Sequence, residues 1–465
     1  MVSQGDRPYP FKETTLDNGL RVVTLEDFTC PIVAVQVWYH VGSKDEPPDR
    51  QGFAHLFEHM MFRGTDLLGP EEHFALIRNT GGTANGFTSF DYTAYVNTLP
   101  ANQLELALWL EAERMLFLRI DQENFETERQ VVFEERRQDL NEPYGTVFER
   151  ILPVVFQEHP YRWTPIGQIA HLNAASLEEV RQFWGTFYVP NTATLVIVGA
   201  VKHKQARTLA EKYFGWIPAC PEPPRIPVTE PEQNEPREIT VREAIGPAPL
   251  ARYVCRTVPR SHPDYVPLQV LSDILGGGES SRLYQDLVKN RKLCQDAFSQ
   301  LHTLEQDGIF QIGAELMPEG DLEGVLAEMD RHLMEVSDRP VTQKELTKVK
   351  NQLRRRVVTE TQTVTNKAYE IGQAAVVCRS PEWLNDRLAA IDAVSVDDVQ
   401  RVAKAYLRPE RRTTVRVVPD KTYQYAPDTT LPAPIRVATS FAKGGIRRPD
   451  WFPTEPPVQG LLEEL

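Results

Sequence analysis

Two segments repeat one pattern: SLEEVRQFWGTFYVPNTATLVIVG at residues 176–199 and SVDDVQRVAKAYLRPERRTTVRVVP at residues 395–419. Each joins a serine helix cap and an acidic first turn to a helix, a proline stop and a β-branched strand. The second segment begins 219 residues after the first, whereas solenoid repeats recur every roughly 20–50 residues. The pattern therefore predicts the duplication of a whole domain of mixed helices and strands.

Prolines divide the chain between the two copies. The segment 220–238 is too rich in proline to sustain a helix or a central strand, so we interpret it as a linker. We expect an N-terminal domain over residues 10–219 and a homologous C-terminal domain over residues 239–420. Residues 421–465 are again Pro-rich, which indicates a tail that follows the surface or moves freely.

Helices and strands alternate without the regular rhythm of βαβ units. This favours an α+β fold of two homologous domains, each a mostly antiparallel sheet packed with helices. The segment FTSFDYTAYVNTL, residues 87–99, alternates as one continuous strand. In that strand Phe87 and Ser89 share one face, and Thr88 lies on the other.

Composition and charge exclude several classes of protein. The 465 residues include 51 Lys+Arg and 65 Asp+Glu, a formal charge of −14, which argues against a nucleic-acid binder. No apolar run approaches the roughly 20 residues needed to span a membrane. The opening residues lack the apolar stretch of a signal peptide. We therefore expect a cytoplasmic location, or a periplasmic one if such a peptide has been removed.

The strongest local signal is His55-Leu-Phe-Glu58-His59. On a helix, residues four apart lie on one face, so both imidazoles are placed to bind one metal ion. Glu58 lies on nearly the same face, where a carboxylate takes a proton from a metal-activated water. The order HxxEH is the inverted zinc-peptidase motif. Without further evidence, the alternative is a pair of histidines packed at the rim of an apolar helix.

A catalytic zinc needs a third protein ligand, and FETERQVVFEERRQDL at residues 125–140 offers candidates. If Phe125, Val132 and Leu140 mark the buried stripe of this helix, Glu128 and Glu135 lie close to it. Glu134 lies about 160° from Val132 and faces solvent. Glu135 is the better candidate for the third ligand, although a solvated helix face would explain any single glutamate.

With these residues the chain resembles the pitrilysin and mitochondrial processing peptidase family, and it is similar to the shorter bacterial members built from two homologous domains. The resemblance covers residues from about 14 to 420. It rests on HLFEHMMFRGT (55–65), ERQVVFEE (128–135), LDNGLRVV (16–23), GGTANGFTSFDYTAY (81–95) and LGGGESSRLYQDL (275–287).

The resemblance implies one zinc ion per chain, bound by His55, His59 and Glu135. Glu58 would act as the general base, and Glu128 would support the ligands from behind. Each domain would contain a six-stranded, mostly antiparallel sheet. Four such domains from two chains would enclose a chamber that holds a peptide.

The resemblance also implies that the edge of the strand after the motif binds the substrate peptide as an added strand, through Asn85, Phe87, Thr88 and Ser89. From the residues alone, Asn85 is equally well explained as a turn residue after two glycines. Substrates would then be bound mainly through their backbones.

One family feature is missing from the second half. The family places an Arg and, seven residues later, a Tyr just after the GGGxSSRL segment, where both donate to substrate carbonyl groups. Val288 and Gln295 stand at these positions. Valine has no donor, and glutamine lacks the reach and acidity of a phenol.

The departure suggests the zinc-bearing subunit of a heterodimeric endopeptidase, in which a homologous subunit without zinc supplies the Arg/Tyr pair. Its substrates would be short or unfolded peptides. One alternative is a self-sufficient homodimeric peptidase. The other is a non-catalytic peptide-binding or scaffold subunit.

Overall fold

A computed structural model describes residues 8–223, 225, 228–426, 443 and 445–457. It confirms the α+β class, because helices pack against two separate, mostly antiparallel sheets. Each sheet takes its strands from one side of the Pro-rich segment, and β7 begins at Arg237, two residues inside the predicted linker 220–238.

The first sheet has the order β1-β2-β6-β3-β5-β4. Only the pair β2–β6 is parallel. This order leaves β4 at one edge. The strands are β1 (Lys12–Thr15), β2 (Arg21–Glu26), β3 (Ile32–Tyr39), β4 (Thr83–Thr88), β5 (Thr93–Pro100) and β6 (Ala193–Gly199).

The second sheet has five strands in the order β7-β11-β8-β10-β9, and only β7–β11 is parallel. The expected sixth strand is absent from the described residues. Within the described ranges the second sheet has no counterpart of β1, and the chain before β7 is crowded with prolines that cannot complete a hydrogen-bonded ladder. The strands are β7 (Arg237–Glu243), β8 (Leu250–Arg256), β9 (Cys294–Thr303), β10 (Gly308–Leu316) and β11 (Arg412–Pro419).

Among the described residues, eight α-helices belong to the first half and six to the second. Those of the first half are α1 (Phe53–Met60), α2 (Glu72–Asn79), α3 (Leu104–Phe117), α4 (Gln122–Leu140), α5 (Val147–Val155), α6 (Ile169–Ala174), α7 (Leu177–Phe187) and α8 (His203–Phe214). Those of the second half are α9 (Tyr265–Gly276), α10 (Leu322–Asp338), α11 (Gln343–Glu360), α12 (Val364–Val377), α13 (Glu382–Ala393) and α14 (Val396–Tyr406).

The two halves exchange one helix each. Helix α12 of the second half packs on the outer face of the first sheet, where Trp38 and Val196 meet Ile371. Helix α5 of the first half packs on the outer face of the second sheet. The α12 contact needs a glycine at position 372, since an added Cβ would lie 2.2 Å from the Trp38 ring. The outer face of each sheet is therefore covered by the other half of the chain.

The segment predicted as one strand over residues 87–99 is a hairpin, so the face assignment across it was wrong. Strand β4 ends at Thr88, β5 begins at Thr93, and the Ser89 N–H donates to the Tyr92 carbonyl at 2.8 Å. The buried Asp91 carboxylate accepts a hydrogen bond from Lys44. This contact holds the chain at Asp91 in a turn, away from the strand pairing of the sheet.

The described part of the predicted tail packs on the first half. Phe452 lies in the first core, and the Trp109 indole N–H donates to the Pro453 carbonyl at 2.9 Å. Buried Lys443 donates to the carbonyls of Met115 and Tyr188. Residues 427–442, 444 and 458–465 lie outside the described residues.

Candidate metal centre

Helix α1 places the histidines. The chain turns into it at Gly52, whose φ of 95° is in the region that glycine favours. The buried Glu46 carboxylate accepts from the N–H groups of Gly52 at 2.9 Å and Ala54 at 2.8 Å, which satisfies donors at the helix start. The apolar side of α1 packs into the first core. That packing leaves His55 and His59 facing α4.

Helix α4 supplies carboxylates to the same face. Asp121 caps its start, and Phe125 and Val132 are buried against the core. Glu135 therefore faces α1, whereas the Glu134 side chain is 61% exposed and pairs with Arg137.

Three atoms from the two helices converge. His55 Nε2 lies 3.4 Å from His59 Nε2 and 3.5 Å from Glu135 Oε2, and His59 Nε2 lies 3.3 Å from the same oxygen. Tetrahedral ligands about 2.0–2.1 Å from zinc are about 3.3–3.4 Å apart. The triangle of two imidazoles and one carboxylate therefore has the size and the donor chemistry of a zinc site.

The two imidazoles differ in protonation. Burial lowers the pKa of His55 to about 4, so its ring is neutral near pH 7. Burial also acts to lower the pKa of His59, but hydrogen bonds to Glu128 and Glu135 outweigh it and raise this pKa to about 9. In the metal-free protein a proton on His59 offsets the charge of the carboxylates, and a bound metal would replace that proton.

Glu128 supports His59 from behind. Its Oε2 lies 3.3 Å from His59 Nδ1, and its Oε1 accepts a hydrogen bond from Arg63 Nε. Burial acts to raise the pKa of Glu128, but His59 and Arg63 lower it below its usual value. A carboxylate at the far nitrogen of a metal-binding histidine orients the ring. Arg63 was not foreseen from the sequence, although it follows His59 by four residues.

Glu58 lies beside the triangle and outside it. Thr88 Oγ1, at the end of β4, donates to Glu58 Oε2 at 2.8 Å. The same strand comes so close that a Cβ at Gly86 would lie 3.0 Å from Glu58 Cγ. Burial raises the pKa of Glu58 above its usual value. The Glu58 carboxylate is thus held against the edge strand.

The predicted substrate-binding residues fall in different places. Asn85 is exposed, and Thr88 is engaged by Glu58. Phe87 packs on the far face of the sheet, where its ring centroid is 5.5 Å from that of Trp38. Ser89 lies in the turn after β4. Among the described residues β4 has no neighbouring strand on its outer side, so its backbone N–H and C=O groups remain available to pair with a peptide.

Neither Val288 nor Gln295 offers a free donor to this centre. Val288 lies in a π-helical turn, Tyr284–Asn290, and packs against the second core. Gln295 is an exposed residue near the start of β9, and its side-chain amide donates to the Leu316 carbonyl at 2.9 Å. No helix in the described part of the chain is both long and apolar enough to cross a membrane.

Comparison with known families gives two matches. Residues 21–166 match the model of the family described as "Insulinase (Peptidase family M16)". Residues 174–353 match the one described as "Peptidase M16 inactive domain". The metal-centre candidates all fall within the first match.

Whole-chain relatives agree with these matches. The chain is 31% identical to the zinc protease PqqE of Helicobacter pylori over 88% of this chain and 93% of that protein. It is 28% identical to the mitochondrial-processing peptidase subunit beta of Lentinula edodes, covering 86% and 88% of the two chains. The crystal structure of a protease from Helicobacter pylori superposes with a TM-score of 0.84 at 30% identity, over 88% of this chain and 99% of that one. The chain belongs to the M16 family of zinc peptidases.

Proposed function

We propose that this chain is the zinc-bearing subunit of an endopeptidase that hydrolyses short or unfolded peptides. One zinc ion per chain would be held by His55, His59 and Glu135. The observation that carries the proposal is the triangle of ligand atoms, whose sides of 3.3–3.5 Å match a tetrahedral zinc site.

The residues around the triangle fit hydrolysis. Zinc supplies Lewis acidity, which polarises a carbonyl group and lowers the pKa of water. The Glu58 carboxylate, adjacent to the ligands but not among them, accepts the proton of the attacking water. Thr88 holds that carboxylate through one oxygen, which leaves the other oxygen to take the proton.

The edge of β4 would bind the substrate. An extended peptide added beside β4 would run past Glu58, because Thr88 and Gly86 of this strand both touch that residue. Backbone hydrogen bonds bind peptides with little sequence preference, and only unfolded segments present a free strand. Asn85 would contact the peptide from the exposed side of β4.

The missing donors would come from a partner. Val288 and Gln295 cannot stabilise the substrate carbonyl, and losing one such donor costs roughly 10²–10³ in rate. One relative is named as the beta subunit of a processing peptidase. We propose that a homologous chain carrying an Arg/Tyr pair closes a peptide-holding chamber with this one.

The test is to purify the chain, measure zinc per chain, and assay an unstructured peptide with and without a chelator. Each assay is repeated with a homologous subunit that carries the Arg/Tyr pair and lacks HxxEH. We expect about one zinc per chain, weak cleavage alone, strong cleavage with the partner, and none with the chelator. Full activity of the chain alone would instead identify a homodimeric peptidase. Peptide binding without turnover in any mixture would identify a scaffold subunit.

A further inference from the structure

Five strands of the first sheet can be matched residue by residue with the five strands of the second sheet through their pairing registers. The 219-residue repeat makes Ala193 of β6 equivalent to Arg412 of β11. Following the paired residues across each sheet from these positions makes Gly86 on β4 equivalent to Ser299 on β9. Both strands lie at the edge of their sheets, beneath α1 and α9 respectively.

This register also aligns α1 with α9. Gly86 lies against Glu58 and Phe62, which are four residues apart. Ser299 lies against Ser272 and Gly276, which are also four residues apart, with 2.8 Å between the hydroxyl oxygens of Ser272 and Ser299. Glu58 is therefore equivalent to Ser272. Counting along each helix from these anchors, the position of His55 falls on Gln269. The position of His59 falls on Asp273.

Helices α4 and α11 align independently through their caps. Asp121 caps α4 and Thr342 caps α11. Glu135 follows its cap by fourteen residues, and so does Arg356. The third ligand candidate of the first half is therefore replaced by an arginine in the second half.

Asp273 and Arg356 contact each other as His59 and Glu135 do. His59 Nε2 lies 3.3 Å from Glu135 Oε2, with the side chains 22% and 41% exposed. Asp273 Oδ2 lies 3.3 Å from Arg356, with the side chains 10% and 42% exposed. The same two helical positions thus meet at the same distance in both halves, once through metal-ligand side chains and once through an ion pair.

We infer that the Asp273–Arg356 ion pair occupies the second half's counterpart of the metal centre, and that Gln269, Asp273 and Arg356 mark a cradle that three substitutions would turn into a second zinc site. The Arg356 guanidinium on α11 supplies the positive charge that a metal ion would otherwise supply between α9 and α11. The inference builds on the proposed role of His55, His59 and Glu135 as zinc ligands.

Two further observations fit this reading. The side-chain amide oxygen of Gln269, Oε1, is buried without a hydrogen-bond partner among the described residues. Such an atom is expected where a glutamine occupies the position of a metal-binding histidine. The position of Glu128, seven residues after its cap, is taken in α11 by Val349, which is fully buried. Glu128 orients His59, and the second half has no histidine at the equivalent position that a carboxylate could orient.

The first experiment installs the ligands. Gln269→His, Asp273→His and Arg356→Glu are combined in the full chain, in a His55→Ala/His59→Ala background. Zinc alone is titrated against a chromophoric chelator. We expect uptake to rise from none to about one equivalent per chain. A matched control carries Arg356→Gln in place of Arg356→Glu and should bind at least tenfold more weakly. A folded triple variant that takes up no zinc would overturn the inference.

The background separates this inference from the proposed function. If the unmodified chain binds no zinc but the triple variant binds one equivalent, the proposed function fails and the inference stands. If the unmodified chain binds one equivalent and the triple variant adds none, the inference alone fails.

The second experiment needs no installed site. Thermal unfolding is compared for Asp273→Asn, Arg356→Gln and the double variant. Arg356→Gln leaves the buried Asp273 carboxylate without its counter-charge and should lower Tm by about 2–4 °C, whereas Asp273→Asn leaves a guanidinium that solvent reaches and should lower Tm less. The double variant should lose less than the sum of the two. Strictly additive losses would show that the pair does not link α9 to α11, and would overturn the inference even if the triple variant failed to fold.

Discussion

At the scale of single residues, Glu58 is proposed to act in the chemical step and its neighbour His59 to bind the metal, so one substitution can separate the two roles. Glu58 lies outside the ligand triangle and is held by Thr88, so Glu58→Gln should leave zinc content near that of the unmodified chain. Because Glu58 is the proposed general base, its replacement should lower kcat by about 10²–10⁴-fold. Metal analysis and a peptide assay on the same preparation check both parts. Loss of zinc from this variant would show that Glu58 is itself a ligand.

The neighbouring glutamates of α4 give a matched pair. Glu135→Ala removes one corner of the triangle, so we expect zinc occupancy to fall sharply in dialysis against a competing chelator. Glu134→Ala changes an exposed side chain paired with Arg137 and should leave occupancy unchanged. Equal losses from the two variants would contradict the assignment of the third ligand.

The positions of the ligand candidates were predictable because helical periodicity is a local property. The spacing of His55 and His59, and the angle of Glu135 from Val132, follow from 3.6 residues per turn. The contact between Thr88 and Glu58 was not predictable in this way. It depends on how β4 crosses α1, which is a tertiary packing relation that no short-range pattern records.

Among the secondary-structure elements, α11 has a start that is sensitive to acid. Glu345 closes a capping box with Thr342 and accepts from Arg282 Nε at 2.7 Å, which docks the segment before the π-helical turn onto α11. Burial opposes ionisation, but the hydrogen bonds from Arg282 and Thr342 prevail and lower the pKa of Glu345 to about 2. The carboxylate of the unfolded chain titrates near 4.5. Its stabilisation is therefore fully present above that pH and is lost as pH falls toward 2.

We expect Glu345→Gln to reduce the free energy of unfolding by on the order of 2 kcal/mol at pH 7. The difference from the unmodified chain should shrink as pH falls from 5 to 3. Urea unfolding at several pH values measures it. Glu410→Gln, in an exposed pair with Arg408, is the control and should give a small difference at every pH. A constant difference for Glu345→Gln would rule out the linkage.

The hairpin β4–β5 shows where prediction of elements fails. Alternation of apolar and polar residues over 87–99 is the same whether the chain runs straight or turns back. What decides is Asp91, whose buried carboxylate is bonded to Lys44 and to the Tyr161 hydroxyl. Those partners are 47 and 70 residues away in sequence. The residues next to Asp91 in the sequence do not indicate that Lys44 and Tyr161 are its partners.

In the whole molecule, a buried ionic cluster joins the two halves. Lys44 Nζ lies 2.8 Å from Asp91 Oδ1 and contacts Glu305, which belongs to the loop between β9 and β10. His40 Nε2 lies 2.7 Å from Glu305 on the same side. The carboxylate of Glu305 accordingly has a pKa below its usual value: burial opposes ionisation, but His40 and Lys44 outweigh it.

We expect Lys44→Met to lower the free energy of unfolding by about 3 kcal/mol, because it leaves the fully buried Asp91 carboxylate without the cation that pairs with it, whereas Glu305 keeps its pair with Arg379. Denaturant unfolding provides the measurement. Lys202→Met is the matched control, since its pair with Glu26 is exposed and should contribute less than about 1 kcal/mol. Similar effects from the two variants would mean that the cluster does not hold the halves together.

The exchange of α5 and α12 could not be predicted from the sequence either. The apolar stripe of α12 has the same period whichever sheet it covers, and the 219-residue repeat places it with its own half. Only shape complementarity settles the matter. The bare backbone of Gly372 accepts the Trp38 ring, and this fit exists only in the folded molecule.

That exchange sets an order of events on the ribosome. The first sheet has all its strands once residue 199 has emerged, but α12 begins only at residue 364. At about 5–20 residues per second, the face around Trp38 stays open to water for roughly 10–30 s. Nascent chains stalled before α12 should therefore be cut by protease in the first half, and chains stalled well after it should be protected. The first half of this protein is made first, but the face around Trp38 is covered only after much of the second half has been synthesised.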